Sequence, residues 1–238
     1  MLRLSISIIS ALFIQTAMAI PVNVEGVREI IVQNNVSVTL SKGSKNARQV
    51  IPANVSVERT GSKLIITSDL DKSEPVKLFA KDNFKTLHKL RIQDDASLTA
   101  NEIQSYDLKV KSESSGHLLL NQVKDVTQIT NHGTGKVEVY WISVPKVSII
   151  SSQGNTILGG DVNNILLKSY GSAKVNASGL ISKYAWLNTS DDAFVKVRVS
   201  KYISLIGSDR SLVESYRNVD HVNELTTDES ALIHIRTT

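Results

Sequence analysis

The chain of 238 residues is long enough for one domain or at most two, and its 41% hydrophobic content can build a sizeable core. The formal charge of +4 is not concentrated in any run of like charges, which argues against a nucleic-acid-binding protein. The sequence contains no cysteine, which excludes disulfide frameworks, thiolate metal sites and cysteine nucleophiles.

The first 19 residues have the features of a secretory signal peptide. Arg3 gives a basic start, an apolar stretch covers Leu4–Ala19, and Ala17-Met18-Ala19 supplies the small-x-small cleavage pattern. The apolar stretch is shorter than the about 20 residues that a membrane-spanning helix needs. We therefore predict cleavage before Ile20, no transmembrane segment, and a mature protein that is periplasmic, secreted or on the cell surface.

Short β-branched runs dominate the mature chain, and helical periodicity is nearly absent. Runs of this kind, separated by Gly, Ser, Asn and Asp, are typical of strands and turns. Residues 20–86 form a first β segment with the runs Arg28–Val32, Val36–Leu40, Val55–Val57, Leu64–Thr67 and Val76–Ala80.

Residues 87–238 contain a repeat with a spacing of 18 to 20 residues. The units start at Leu90, Leu108, Thr127, Val147, Ile165, Ala185, Ile203 and Asn223. The third position of every unit is apolar: Ile92, Val110, Ile129, Ile149, Leu167, Leu187, Leu205 and Leu225. Eight residues further on, the last seven units have Leu118, Val137, Ile157, Val175, Val195, Val213 and Ile233, whereas Leu98 arrives two residues early in the first unit.

A repeat of this length indicates a solenoid. Each unit is too small to bury its own apolar side chains, so neighbouring coils must stack to create the core. The predicted fold is an all-β, single-domain parallel β-solenoid, similar to a β-helix, with coils of about 19 residues. Residues 20–86 and the repeat coils of residues 87–238 are expected to belong to that same domain.

The sequence resembles the head GIN domain family, an autotransporter adhesin head of otherwise unknown function. The resemblance covers essentially the whole mature chain and rests on diffuse motifs: Gly61-Ser62-Lys63-Leu64-Ile65-Ile66, Ser115-Gly116, Gly133-Thr134-Gly135 and Gly171-Ser172-Ala173. After Ala185 the chain departs from this pattern, because Asp191-Asp192, Asp209 and Asp228-Glu229 replace glycine. The resemblance implies an adhesin-like binding role and supplies no catalytic residues.

No catalytic constellation is recognisable. The five histidines occupy different positions of the repeat and form no metal-binding or nucleophile-activating motif. Gly159-Gly160-Asp161 lacks the further glycines and the helix of a phosphate-binding loop. We therefore predict that the protein is not an enzyme and has no organic cofactor.

Stacking would bring acidic turn residues into one column. Asp191, Asp209 and Glu229 occupy the same position of successive units, with Asp192 and Asp228 beside them. A hard cation such as calcium would relieve the repulsion between such carboxylates. The alternative is that these aspartates make the local backbone hydrogen bonds common in turns.

Aromatic side chains are predicted to share one outer surface. Ser182-Lys183-Tyr184 recurs as Ser200-Lys201-Tyr202 in the next coil, and Trp186 follows on the same side of its strand, near Leu166. Contiguous aromatic groups with polar neighbours suit sugar rings or protein partners. The alternatives are an external ladder that stabilises the sheet or a patch covered by the N-terminal segment.

The leading hypothesis is a non-enzymatic, exported binding module that presents one lateral β face to a glycan or a cell-surface protein, with no nucleic acid as partner. One alternative is a polysaccharide-acting β-helix enzyme, since Asp191 and Asp209 could meet the carboxylate spacing of glycoside cleavage. Another is a purely structural envelope protein whose open end stacks on a partner.

Overall fold

The computed structural model describes residues 22–44, 49–68, 75–216, 219–226 and 232–235, and these residues form strands and turns without a helix. The predicted signal peptide lies outside the described residues. The strands are β1 (Glu29–Val32), β2 (Ser37–Lys42), β3 (Val55–Thr60), β4 (Lys63–Ser68), β5 (Val76–Ala80), β6 (Lys89–Asp94), β7 (Ser97–Ala100), β8 (Leu108–Ser114), β9 (His117–Leu120), β10 (Val126–Asn131), β11 (Lys136–Ser151), β12 (Asn155–Ser169), β13 (Lys174–Thr189), β14 (Phe194–Gly207), β15 (Leu212–Ser215), β16 (His221–Thr226) and β17 (Leu232–Ile235).

Each well-formed coil has three sides, because the long strands β11 to β14 bend at irregularities in their pairing. On the first side, residues 146–151 stack on 164–169, and on the second side residues 136–139 stack on 155–158. The third side pairs residues 142–144 with 160–162. Nearer the N-terminus, the described part of the third side has an isolated bridge between Ile103 and Val123 instead of a strand.

The structure confirms the predicted parallel β-solenoid. Its first side stacks Val110, Ile129, Ile149, Leu167, Leu187 and Leu205 in direct register, at spacings of 19, 20, 18, 20 and 18 residues. All six side chains are at most 3% exposed. This aliphatic column supplies the burial that no single coil could achieve alone.

Three details of the predicted register are wrong. Leu90 pairs with Val110, so it holds the third position of its unit, and Leu98 then follows at the regular offset of eight and pairs with Leu118. Thr156 replaces Ile157 in the second column, because the preceding turn is one residue shorter. Leu205 pairs with Glu224 rather than with Leu225.

The N-terminal strands do not stack in chain order. The coil of β1 and β2 lies between the coil of β4 and β5 on one side and the coil of β6 and β7 on the other. The chain reaches β4 through a hairpin in which β3 runs antiparallel and forms the edge of the stack. Its two-residue turn begins with Gly61 at a φ of 60°, a conformation in which glycine is unstrained.

Candidate functional site

The predicted aromatic residues lie on the outside of the first side of the coil. Tyr184 and Trp186 alternate with the buried Ala185 and Leu187 along β13, so the pleat directs both rings outward. Their ring centroids are 6.3 Å apart with an interplanar angle of 27°. Tyr202 pairs directly with Tyr184 on the next coil. We call Tyr184, Trp186 and Tyr202 the aromatic face.

The aromatic face is open to solvent. Tyr184 is 40% exposed and Trp186 is 42% exposed, whereas Tyr202 is half-buried. Within the described chain, the rings of Tyr184 and Trp186 are not covered. The described part of the N-terminal segment therefore does not cover this patch. Stacking between the rings fixes their orientation and leaves an area for a ligand.

A shallow depression of about 320 Å³ adjoins the aromatic face. Leu166 pairs with Trp186 from the preceding coil and lines this depression together with Lys146 and Asn164. The depression is lined mainly by apolar atoms, to which Leu166 and Trp186 contribute, so it adds apolar contact area beside the tryptophan.

The two predicted lysines flank the aromatic face at a point where the pairing of β13 and β14 is irregular. Lys183 and Lys201 are both exposed. Lys201 makes an ion pair with Asp220, with its Nζ 2.9 Å from Oδ2. The structure thus places all five predicted binding residues at neighbouring positions, and their role in binding stays a prediction.

The acidic turn residues have a structural role in the described chain. The backbone N–H of Gly171 donates to Asp191 Oδ2 at 2.8 Å, and the N–H of Asp191 donates to Asp209 Oδ2 at 3.2 Å. Both aspartates have positive φ angles, 60° and 57°. The N-terminal coils repeat this arrangement, since the N–H of Asn34 donates to Asp94 Oδ2 at 3.1 Å.

The predicted calcium site remains untested. Glu229 and Asp228 lie outside the described residues, and Asp192 forms an ion pair with Arg210 at 2.7 Å. Among the residues that the structure describes, no group of three histidine, cysteine or acidic side chains is placed to hold a metal ion. Turn capping is therefore the role that the geometry supports for Asp191 and Asp209.

A buried polar cluster on the second side of the coil was not predicted from the sequence. Glu138, only 9% exposed, places Oε1 at 2.7 Å from Lys136 Nζ and 2.8 Å from His117 Nε2, and its Oε2 accepts from Tyr140 Oη at 2.6 Å. Burial raises the pKa of this carboxyl group, but the hydrogen bonds from Lys136, Tyr140 and His117 outweigh burial and lower it overall. The hydrogen bond between Tyr140 and Glu138, together with burial, raises the pKa of Tyr140 to about 12.

A cleft on the third side was also not predicted from the sequence. Tyr106 and Trp141, which are 64% and 67% exposed, stand at its rim. Neither residue belongs to an aligned column of the repeat, so the periodicity gave them no weight. The one sequence feature that indicates Trp141 is a local extra residue. The segment Tyr140-Trp141 lies opposite the single Gly159 of the next coil.

The fold and its exposed lateral surfaces define a class: a parallel β-solenoid of short coils with exposed aromatic groups on its outer surface. The family described as "Putative auto-transporter adhesin, head GIN domain" matches residues 27–218. The chain belongs to this family, which confirms the resemblance noted from the sequence.

Solved structures share the fold at low sequence identity. A "putative lipid binding protein" from Parabacteroides distasonis has a TM-score of 0.71 and 13% identity, over 90% of this chain and 94% of that one. A "putative adhesin" from Parabacteroides merdae has a TM-score of 0.71 and 12% identity, over 91% and 94%. Another from Bacteroides fragilis has a TM-score of 0.57 and 12% identity, over 89% and 93%.

These neighbours show the fold alone, because their identities are low. No curated protein matches this chain. Within the described residues, no helix has the length and hydropathy to cross a bilayer. The description of the family names an adhesin, which is consistent with a binding module.

Proposed function

We propose that this protein is an exported, non-enzymatic, adhesin-like module that binds a glycan or a protein of a cell surface through its aromatic face. The family to which the chain belongs supports the adhesin-like role. Export rests on the predicted signal peptide of residues 1–19.

The observation that carries the proposal is the exposure of Tyr184 and Trp186 on a regular strand. The interface positions that contribute most binding energy are enriched in tryptophan and tyrosine. These two side chains bury a large area and lose little conformational entropy on binding. Both rings are held by a strand that pairs on both of its edges, so binding would require little further ordering. Lys183 and Lys201 add hydrogen-bond donors at the edge of the surface.

The enzyme alternative has weaker support. Asp191 and Asp209 each accept a hydrogen bond from a backbone N–H of the neighbouring turn. A carboxylate oxygen that already accepts a hydrogen bond from a neighbouring turn is poorly placed to act on a substrate. The binding role therefore explains the described side chains better than glycoside cleavage does.

The experiment is a glycan-array and intact-cell binding screen with the mature chain from Ile20. We expect saturable binding that the Tyr184→Ala/Trp186→Ala variant loses by at least about tenfold, the loss typical of interface anchor residues. Ile206→Ala is the matched control, because it removes another exposed apolar side chain, 44% exposed, from the same side of the coil.

Two further comparisons make the screen decisive. Pre-treating the cells with protease or with glycosidases distinguishes a protein ligand from a glycan ligand. Binding that persists unchanged in the double variant, or no binding by folded protein in any arm, would contradict the proposal. The second of these results would favour a structural role in the envelope.

A further inference from the structure

The cleft on the third side is the concave site that Tyr106 and Trp141 border. Its volume is about 500 Å³, within the usual range of small-molecule sites. The rings of Tyr106 and Trp141 line it, and its polar groups are two carboxylates, two amides and one ammonium group, from Glu102, Asp125, Gln104, Gln122 and Lys124. It lies where the third side changes from the isolated bridge at Ile103 to continuous strand.

Trp141 is held in this position by an unusual backbone conformation. Its φ angle is 65°, a region that bulky side chains rarely adopt. The next two coils have Gly159 and Gly179 at this corner, paired with each other. Strained residues of this kind concentrate at ligand sites, because the strain persists only where the surrounding structure imposes it.

The polar groups of the cleft are available for a ligand. Gln104 Nε2 donates to Glu102 Oε1 at 2.8 Å, which orients both planar groups toward each other. In the described part of the chain, the side chains of Gln122 and Asp125 make no hydrogen bond or ion pair with protein groups. The Gln122 amide can therefore accept or donate, and the Asp125 carboxylate can accept, without first breaking a contact.

We propose that this cleft binds a neutral saccharide unit of a glycan, seated between the rings of Tyr106 and Trp141. The C–H groups on one face of a sugar ring carry partial positive charge and complement the negative face of an aromatic ring. Two adjacent hydroxyl groups of the sugar can hydrogen-bond to the two oxygens of a carboxylate, or to the oxygen and the nitrogen of an amide. The two carboxylates outnumber the single ammonium group of Lys124, which disfavours an anionic ligand.

This inference goes beyond the proposed function, because the cleft shares no residue with the aromatic face. The two surfaces also differ in kind, since the aromatic face is an open area and the cleft is a concave site. Either surface can therefore bind when the other does not, and the two proposals can fail separately.

The chain allows a direct test because it contains two tryptophans, one at each surface. In Trp186→Phe, the fluorescence of Trp141 reports on the cleft. In Trp141→Phe, the fluorescence of Trp186 reports on the aromatic face. The probes are glucose, galactose, mannose, N-acetylglucosamine and N-acetylgalactosamine, titrated to about 50 mM so that a weak complex with a dissociation constant of about 1 mM is still detected.

We expect at least one neutral sugar to shift the emission of Trp186→Phe in a saturable way. Adding Tyr106→Ala to this variant should weaken the response by at least tenfold, with the melting temperature confirming that the variant folds. A cleft in which no neutral sugar gives a saturable shift, or in which only N-acetylneuraminic acid does, would overturn the proposal. A response that Tyr106→Ala leaves unchanged would also overturn it.

Discussion

At the scale of single residues, the turn aspartates act on backbone conformation. Asp191 adopts a left-handed conformation and accepts a hydrogen bond from the N–H of Gly171 at 2.8 Å. Asparagine tolerates this conformation and also offers an oxygen, whereas alanine offers neither advantage. The carboxylate therefore matters here through its shape and its acceptor atoms more than through its charge.

We predict that Asp191→Ala destabilises the protein by about 1–2 kcal/mol, the usual penalty of a left-handed conformation for an ordinary side chain. Asp191→Asn should cost clearly less. Urea unfolding of the two variants beside the wild type checks this. Equal losses in both variants would show that the charge, rather than the turn conformation, is what the fold requires.

Glu138 links stability to pH. Its pKa is lower in the folded protein than its ordinary value of 4.5, because its hydrogen bonds to Lys136, Tyr140 and His117 outweigh its burial. The unfolded chain therefore binds a proton at higher pH than the folded chain does. The stabilisation that ionised Glu138 provides is fully present at pH values above its ordinary pKa of 4.5. It is lost as the pH falls through the lower pKa of Glu138 in the folded protein.

Glu138→Gln should accordingly destabilise the protein by about 2 kcal/mol at neutral pH, the contribution typical of hydrogen bonds to a charged group. The difference from the wild type should shrink as the pH falls below the ordinary pKa of 4.5 and through the lower pKa of the folded protein, where the wild-type carboxylate also becomes protonated. Urea unfolding of both proteins at neutral and at acid pH measures this. A difference that is independent of pH would contradict the role assigned to the carboxylate.

At the scale of elements, the turns between the first and second sides pack backbone against backbone. A Cβ added at Gly135 would lie 1.9 Å from the carbonyl oxygen of Gly116 in the preceding turn. Rigid neighbours on both sides prevent the turn from moving away. The Gly-Thr-Gly motif is therefore a packing requirement of the stack.

Gly135→Ala should destabilise the protein by at least about 2 kcal/mol, as overpacking substitutions do. Thr134→Ala, at the exposed position between the two glycines, is the matched control and should change stability by less than about 0.5 kcal/mol. Thermal unfolding compares the variants. A small effect of Gly135→Ala would mean that successive turns are spaced further apart than the structure shows.

The strands themselves were largely predictable from the sequence, because alternating burial leaves a direct pattern. The apolar column from Val110 to Leu205 was identified correctly. Thr156 was not predicted as an inward residue, because a threonine in the sequence resembles a surface residue. In the structure it is buried, and its hydroxyl accepts a hydrogen bond from Asn131 Nδ2 at 3.2 Å inside the coil. The exposed position of Trp141 was not predicted, because a local irregularity that no periodic pattern describes positions its side chain.

At the scale of the whole molecule, the order of the N-terminal coils was not predictable. The runs that became β1 to β5 were recognised, but the sequence does not show that β1 and β2 lie between two later coils. Strand partners that are distant in the chain are chosen by the fit of the whole stack, and each strand alone is compatible with several neighbours. The antiparallel β3 ends the stack on this side.

The assembled stack presents exposed aromatic side chains on two of its outer surfaces. The aromatic face lies on the first side of the later coils, and the cleft lies on the third side of earlier coils. Because parallel ladders connect all coils into one sheet, both surfaces are carried on one continuous scaffold. A molecule of this form can contact a large or repetitive ligand at more than one point, with a gain in avidity.

The measurement that tests the central claim most directly is the dissociation constant of the strongest ligand from the binding screen, for the wild type and two matched double variants. Tyr184→Ala/Trp186→Ala removes the aromatic face, and Tyr106→Ala/Trp141→Ala removes the same residue types from the cleft. We predict that the first variant binds at least about tenfold more weakly with an unchanged fold. Equal affinity of the wild type and the first variant would contradict the account.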